Sequence, residues 1–240
     1  MAILLALPCL GVGKTLRLMT FNIYHCGKGM DRVARCIESA SPDFACLNEV
    51  DRGVKRSGGI DQTAELARRT GMHGTFAKAL NLGGGAYGVA ILSKEEPVSV
   101  DRVPLPGREK RVLLICEFRN CVVATAHLDL HTQNQLKSIG VIRSSLGRYS
   151  KPVFFGGDWN ATPESATIRE IEKSMKILSP VEGVKTFIGG SQKDKPEYVI
   201  DYIAAGREYA DRLEVVRAYV GDDKTASDHV PVVVELRRRR

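Results

Sequence analysis

Residues 154–165 read FFGGDWNATPES, an apolar run that passes into two glycines, an aspartate, one spacer and an asparagine. The pattern is typical of a buried β-strand that ends in a turn, because Gly, Asp, Asn and Pro favour turns. Asp158 and Asn160 carry complementary chemistry there, since a carboxylate can accept a proton or bind a metal and an amide donates hydrogen bonds without charge. Taken alone the stretch fits an ordinary turn, so its function depends on which other residues join it.

Polar side chains recur at the boundaries of other apolar segments. Strands are predicted for LRLMTFNI, DFACLNEV, YGVAILS, RVLLICEF, CVVATAHL, KPVFFGG, YVIDYIAA, LEVVRAYV and VPVVVEL. The polar residues at or inside these strands are Asn22, Glu49, His127, Asp158, Asn160, Asp201, Asp228 and His229. Each of them alone fits a turn or a structural role. Burying so many polar groups is costly unless they are paired or bind a metal, so the set predicts one shared site.

Three segments between the strands have the spacing of amphipathic helices. Their apolar positions are Val33, Cys36 and Ile37, then Leu136, Ile139 and Leu146, then Ile168 and Ile171. The order starts as strand, helix, strand and continues with consecutive strands. This mixture predicts an α/β fold in which two packed β-sheets are flanked by helices.

The composition is that of a folded domain, with 43% hydrophobic and 26% charged residues in 240. The formal net charge is +7, but the terminal arginines at 237–240 supply four of the 35 basic residues, and the other 31 face 28 acidic ones. Such a mildly basic body does not select nucleic acid over other phosphate compounds. We predict one domain at 16–236, an N-terminal leader or extension at 1–15 and a basic tail at 237–240.

The N-terminal segment MAILLALPCLGVGKT is too short in its apolar part to span a bilayer. It is compatible with a secretion-leader remnant, with LALPC as a bacterial lipoprotein site, or with a first strand. Two locations are compatible with this segment: export to the bacterial periplasm or cell surface, and otherwise the cytoplasm. GVGKT is not a P-loop, because Pro8 stands where that motif has glycine.

The six cysteines lack zinc-site spacing, and a disulfide between Cys116 and Cys121 across the EFRN turn is compatible with the sequence.

Seven segments together resemble a known family. MTFNI, CLNEV, YGVAILSK, TAHLD, GGDWNATP, IDYI and SDHVPVV are similar, in this order, to the motifs of the endonuclease/exonuclease/phosphatase superfamily, the DNase I-like metal-dependent phosphoesterases. FNIYHCGKGMD, NEVD and DQTAEL resemble its compact bacterial branch of metal-dependent hydrolases. The resemblance covers residues 16–236 and implies a four-layer α/β sandwich of two mixed sheets between helices.

The resemblance also implies a metal site. Glu49 would be the principal ligand of Mg²⁺ or Mn²⁺, with Asn22 adjacent and Asp228 able to support a metal. Hard oxygen ligands suit these ions. The metal would help to neutralise the charge that develops on the phosphoryl oxygens.

The remaining site residues would act on water and phosphate. Asp158 would orient and deprotonate the attacking water as general base. Asn160 would hold a phosphoryl oxygen or that water. His229 would contact the phosphate, and Asp201 would fix its tautomer and favour the imidazolium. His127 would also face the phosphate.

Two further residues are expected at the rim, and three positions depart from the family's usual pattern. Tyr87 and His25 are the rim residues. Asn48 replaces the usual Gln before the metal-binding Glu, Trp159 replaces Phe or Leu and is expected to pack outward, and Val199 stands where a basic residue is frequent. None of these changes removes a catalytic side chain.

The predicted activity is phosphodiester hydrolysis by metal-assisted in-line attack of water. The substrate would be nucleic acid, a lipid or another small phosphodiester. A phosphomonoesterase acting on sugar, inositol or lipid phosphates is the alternative, followed by a non-catalytic binding protein. A monomer without a membrane-spanning segment is expected.

Overall fold

The computed structural model describes residues 15–189 and 198–239. The predicted leader lies outside these ranges except for Thr15, and so does Arg240 of the predicted tail. The strands are β1 (Thr15–Asn22), β2 (Phe44–Arg52), β3 (His73–Leu82), β4 (Gly85–Ser93), β5 (Ser99–Leu105), β6 (Arg111–Glu117), β7 (Val122–Ala126), β8 (Val153–Asp158), β9 (Met175–Ile177), β10 (Asp201–Gly206), β11 (Leu213–Val220) and β12 (Val232–Arg238). The α-helices are α1 (Met30–Ala40), α2 (Gln62–Thr70), α3 (Thr132–Leu146), α4 (Ala166–Glu172) and α5 (Arg207–Ala210).

The strands form two mixed six-stranded sheets. The first has the order β11-β12-β1-β2-β4-β3 and the second the order β5-β6-β7-β8-β10-β9. β1 and β2 are parallel, and so are β7 and β8, whereas the other pairs are antiparallel. Each sheet therefore has a central parallel pair whose carboxyl ends lie at one edge.

Side-chain alternation along the strands builds three apolar layers. In β1, Leu16 and Leu18 pack between the two sheets, while Met19 and Phe21 face the opposite way toward α1 and α2. The outer face of the second sheet packs against α3 and α4 in the same manner. This period-two alternation lets both sheets bury both faces. The fold is the four-layer α/β sandwich that the sequence predicted.

The structure adds details at the C-terminal end of the chain and at the cysteines. β12 continues through Arg238, so two arginines of the predicted tail belong to a strand, and Arg237 pairs with Glu214 at 2.8 Å. No disulfide joins Cys116 and Cys121, and both side chains pack in the core between the sheets. Over the described ranges, no helix combines the length and apolarity that crossing a bilayer requires.

Candidate active site

The carboxyl ends of the two parallel strand pairs meet at a cavity of about 620 Å³. Six of the predicted site residues line it: Glu49, His127, Asp158, Asn160, Asp228 and His229. The other two, Asn22 and Asp201, are wholly buried and hydrogen-bonded to members of that group. The structure thus brings all eight residues together. A mostly apolar cavity of about 320 Å³, with Ile139 and Ile171 in its wall, contains none of them.

A β-bulge presents Glu49 to the cavity. The register of β2 against β4 shifts between Asn48 and Val50, and Glu49 has a left-handed φ of 58°. Such conformations are rare outside glycine and occur where a bulge re-aims a side chain. Asn22 Nδ2 donates to Glu49 Oε1 at 3.1 Å. Burial opposes ionisation of Glu49, but the neighbouring imidazoles of His25 and His127 and the Asn22 amide outweigh it and lower its pKa to about 2.

Asp158 ends β8 at the centre of the cluster. Its Oδ2 accepts a hydrogen bond from Asn22 Nδ2 at 3.0 Å, and its Oδ1 accepts one from the backbone N–H of Asn160, also at 3.0 Å. The backbone N–H of Asp158 donates to Asn48 Oδ1 at 2.8 Å. Asn48, the shortened amide noted in the sequence, therefore links β2 of the first sheet to β8 of the second.

The surroundings of Asp158 make it a weak acid. Its side chain is only 2% exposed, and burial together with the nearby Asp201 carboxylate raises its pKa to about 7. Charge on His229 and the donated hydrogen bonds act in the opposite direction. A carboxylate with this pKa is matched to accepting a proton from water near neutral pH.

His229 is held as a cation by two aspartates. Its Nδ1 lies 2.8 Å from Asp201 Oδ2, and its Nε2 lies 3.7 Å from Asp158 Oδ2. Burial disfavours the charged ring, but the carboxylates of Asp201 and Asp158 outweigh this effect and raise the pKa of His229 to about 10. Thr186 Oγ1 accepts the backbone N–H of Asp201 at 3.1 Å and fixes the start of β10.

His127 is the neutral counterpart of His229. Its Nδ1 lies 3.2 Å from Arg111 NH1. A guanidinium can only donate, so Nδ1 accepts and the ring proton belongs on Nε2. That Nε2 lies 3.4 Å from Asp158 Oδ2. Burial and the positive charge of Arg111 lower the pKa of His127 to about 3, so the imidazole is uncharged near neutral pH.

Asn160 and Asp228 complete the cavity wall. Asn160 has a left-handed φ of 49°, and its Nδ2 donates to the carbonyl of Leu128 at 2.9 Å, which leaves its second amide hydrogen for other partners. Asp228 Oδ1 accepts from Ser227 Oγ at 3.3 Å. The Asn160 amide can therefore donate one more hydrogen bond to a group bound in the cavity, and the Asp228 carboxylate can accept hydrogen bonds or bind a metal.

The donor set fits a divalent cation. Glu49, Asp158 and Asp228 bring carboxylates to the cavity. Asp158, Asp201 and His229 form a cluster whose polar atoms lie within 4.8 Å of one another, but the protonated His229 ring has no lone pair for a metal. Oδ1 of Asp201 is buried and has no hydrogen-bond partner in the described part of the chain. An oxygen-rich set of this kind is typical of Mg²⁺ or Mn²⁺ sites. The Asn22 oxygen, however, accepts the Tyr24 N–H at 3.1 Å, so its amide nitrogen faces the carboxylates.

The sequence profile of the Endonuclease/Exonuclease/phosphatase family matches residues 19–229. The chain belongs to this family. No curated protein matches the sequence of this family member.

Solved structures share the fold of this endonuclease/exonuclease/phosphatase protein. An endonuclease/exonuclease/phosphatase from Beutenbergia cavernae is 23% identical with a TM-score of 0.73, covering 94% of this chain and 72% of that one. D. rerio TDP2 complexed with a single-strand DNA product is 14% identical with a TM-score of 0.71, covering 93% and 99%. The Bacteroides thetaiotaomicron mannosyl-6-phosphatase Bt3783 is 13% identical with a TM-score of 0.67, covering 92% and 99%.

Arg111 is the basic residue among the lining residues of this cavity that sequence reasoning missed; the others are Glu109, Leu130, Thr162, Phe187, Tyr198 and Ile200. It is the first residue of β6, and its side chain is only 8% exposed, which is rare for arginine. Glu109 pairs with it at 2.9 Å. Its position at the start of the apolar run RVLLICEF is the same signal that identified the other site residues, since a charged group beside a buried strand requires a partner.

The expected rim residues and Trp159 also have defined places. Tyr87 lines the cavity, and His25 Nδ1 lies 3.9 Å from Glu49 Oε2. Trp159 points away from the cavity and is stacked between Phe155 and Tyr202, at ring-centroid distances of 4.9 and 4.8 Å. It is completely buried, so the larger ring is accommodated in the layer beneath α3 and α4.

Proposed function

We propose that this protein is a metal-dependent phosphodiesterase that hydrolyses its substrate by in-line attack of water. The observation that carries the proposal is the position of Asp158 between two imidazoles, one uncharged and one protonated. Its Oδ2 lies 3.4 Å from Nε2 of neutral His127 and 3.7 Å from Nε2 of cationic His229. A base thus stands beside two hydrogen-bond donors that can face phosphoryl oxygens.

The residues divide the chemistry among them. Asp158 takes the proton of the attacking water, and its pKa near 7 leaves much of it ionised at neutral pH. His229, kept protonated by Asp201, donates to a phosphoryl oxygen where negative charge accumulates. His127 donates a second hydrogen bond through Nε2 without adding a charge. Asn160 holds a phosphoryl oxygen or the water through its remaining amide hydrogen.

Glu49 and Asp228, which line the same cavity, would hold Mg²⁺ or Mn²⁺. When bound, such an ion acts as a Lewis acid on the phosphoryl oxygens. Asn22 supports this arrangement by donating to both Glu49 and Asp158, at 3.1 and 3.0 Å, which fixes the position of each carboxylate. Ligation by the Asn22 oxygen stays a prediction.

Structural neighbours are consistent with more than one phosphoester. TDP2 is solved with a single-strand DNA product, whereas Bt3783 is a mannosyl-6-phosphatase. A phosphomonoesterase is the second candidate, and the observation that favours it is the guanidinium of Arg111 in the cavity wall. Arg111 adds a positive charge to the cavity wall, which suits the extra charge of a monoester dianion. A binding protein without activity is less supported, because all predicted catalytic side chains are present.

A substrate panel tests the proposal. Single-stranded DNA, bis-p-nitrophenyl phosphate and mannose 6-phosphate are incubated with Mg²⁺ or Mn²⁺ and the wild type, Asp158→Asn or His229→Gln. Loss of general base or acid catalysis typically costs about 10²–10⁴ in rate, and we expect both variants to lose this much. Asp211→Asn and His73→Gln change the same residue types at exposed positions outside the site and serve as controls. Hydrolysis that survives both site variants at wild-type rates would refute the assignment.

The panel also separates the two candidate activities. A phosphodiesterase cleaves DNA or bis-p-nitrophenyl phosphate faster than mannose 6-phosphate, and a phosphomonoesterase shows the reverse order. Arg111→Met is expected to lower monoester turnover more than diester turnover, because the dianion carries the additional charge.

A further inference from the structure

A strained turn follows β1 and carries the only histidine of the FNIYHCGKGMD segment. Tyr24, His25 and Cys26 have consecutive left-handed φ values of 46°, 42° and 53°. Each such residue costs on the order of 1–3 kcal/mol and persists only where the surroundings fix it. Three in succession are therefore a feature that the neighbouring structure must enforce.

A buried polar network enforces this turn. Gln62 Nε2 donates to the carbonyl of His25 at 2.5 Å, while Gln62 Oε1 accepts the backbone N–H of Asp51 at 2.8 Å. The carboxylate of Asp51 is completely buried and accepts two hydrogen bonds from Arg56, both at 2.9 Å. Gln62 belongs to the DQTAEL segment and Asp51 to NEVD. The catalytic roles described above use Glu49 of NEVD but neither Asp51 nor Gln62, and the network gives these two residues a function.

The turn directs one nitrogen of His25 toward Glu49. Nδ1 of His25 lies 3.9 Å from Glu49 Oε2, which is too long for a hydrogen bond. This Nδ1 is buried and has no hydrogen-bond partner among the described residues. The Tyr24 ring lies against His25, with the two ring centroids 4.4 Å apart. His25 Nδ1 therefore faces Glu49 with no hydrogen-bond partner in the described part of the chain, and the neutral tautomer protonated on Nε2 would leave Nδ1 able to bind a metal.

The separation suits two ligands of one ion. Metal–ligand distances of about 2.1 Å place two donors of the same ion roughly 3 to 4.2 Å apart, depending on the angle between them. The observed 3.9 Å lies within that range. We propose that His25 Nδ1 is a ligand of the ion held by Glu49, so that the metal centre has mixed nitrogen and oxygen ligands. This inference rests on the proposed metal-dependent function.

A nitrogen ligand changes which ion the site prefers. Imidazole favours first-row transition ions, and sites with nitrogen ligands bind Mg²⁺ comparatively poorly. With His25 in the coordination sphere, the site prefers Mn²⁺ to Mg²⁺ more strongly than an all-oxygen site would. The strained turn and its supporting network then serve metal selection.

The test measures metal binding directly. Mn²⁺ is added to the wild type, His25→Gln, Glu49→Gln and His73→Gln, and electron spin-echo envelope modulation detects directly coordinated imidazole nitrogen. We expect a nitrogen coupling in the wild type and in the exposed control His73→Gln, and its loss in His25→Gln. Isothermal titration should show Mn²⁺ binding to His25→Gln weakened about tenfold or more, with a smaller change for Mg²⁺.

The outcomes separate this inference from the proposed function. Two results would overturn the role of His25 alone. In the first, the nitrogen coupling persists unchanged in His25→Gln. In the second, the wild type shows no nitrogen coupling, although Glu49→Gln still abolishes Mn²⁺ binding. Wild-type protein that binds neither Mn²⁺ nor Mg²⁺ would overturn the metal-dependent function as well. If His25→Gln does not fold, His25→Asn replaces it, because asparagine adopts left-handed φ values more readily.

Discussion

In the proposed mechanism, Asp158 must be ionised while His229 is protonated. Asp158 has a pKa raised to about 7, so its reactive form is lost as the pH falls through that value. His229 has a pKa raised to about 10, so its reactive form is lost as the pH rises through that value. We therefore predict a bell-shaped dependence of kcat/KM on pH, with an acid limb near 7 and an alkaline limb near 10.

The two limbs can be assigned with single variants. In His229→Gln the alkaline limb should disappear while the acid limb remains, because only Asp158 still titrates. The measurement is kcat/KM from pH 5 to 11 at saturating metal, with product formation followed by chromatography. An alkaline limb that survives in His229→Gln would show that another group is responsible.

Arg111 sets the protonation of His127 from its place in the cavity wall. Arg111→Met removes both the hydrogen-bond donor to Nδ1 and a positive charge that lowers the pKa of His127. We predict that His127 then takes up a proton at a higher pH than in the wild type, although burial still holds its pKa below the usual 6.5. Imidazole ¹⁵N chemical shifts followed by NMR report both the tautomer and the titration.

The control for this change is Arg143→Met, an exposed arginine on α3 that pairs with Glu170. The pH titration of His127 in Arg143→Met should match that in the wild type. If Arg111→Met leaves the His127 shifts unchanged at every pH, the hydrogen bond between Arg111 and His127 does not control the tautomer.

At the level of whole elements, the parallel pair β7 and β8 depends on a glycine. A Cβ on Gly157 would lie 2.1 Å from the carbonyl oxygen of Ala126, and its φ of 154° is unfavourable for other residues. We predict that Gly157→Ala lowers the free energy of unfolding by at least about 2 kcal/mol, because the strands must move apart. Urea denaturation measures the change.

Gly140→Ala is the matched control within α3. A Cβ there meets no atom within 4 Å, and alanine is the better helix former by up to about 1 kcal/mol. This variant should be as stable as the wild type or more so. Equal urea midpoints for Gly157→Ala and the wild type would mean that β7 and β8 do not need the glycine.

Sequence reasoning predicted all the central strands but only one of the four edge strands, β11. The nine predicted segments correspond to strands in the structure, whereas β3, β5 and β9 were missed, and all three lie at a sheet edge. A central strand is buried on both faces and produces a continuous apolar run, as in β8. An edge strand such as β5 has an exposed, mixed pattern that resembles a loop.

The residues that come together at the cavity could be predicted from the sequence to a similar extent. Polar residues beside buried strands are visible in the sequence because burial makes them costly, and Asp158 and Asp201 were found in this way. The conformations that aim them are not visible, since the bulge at Glu49 and the left-handed turn at His25 depend on contacts between distant segments. The charge states of the two histidines likewise follow from neighbours that only the fold supplies.

For the molecule as a whole, the site connects the two sheets. Glu49 and Asn22 come from the first sheet, while Asp158 and Asp201 begin or end strands of the second. The hydrogen bond from Asn22 Nδ2 to Asp158 Oδ2 crosses between them at 3.0 Å. Ligand binding at this junction therefore acts on the unfolding of the whole sandwich and not on one loop.

This geometry predicts that divalent metal stabilises the entire domain. An ion that binds only the folded state at a free concentration 100 times its Kd contributes about 2.7 kcal/mol, which corresponds to a rise in Tm of about 5–10 °C for a domain of this size. Calorimetry of the wild type in Mg²⁺, in Mn²⁺ and in EDTA measures the effect. Glu49→Gln removes the principal proposed ligand and should reduce the rise, while Asp211→Asn, on the exposed surface, should not. Identical Tm values in metal and in EDTA for the wild type would contradict metal binding between the sheets.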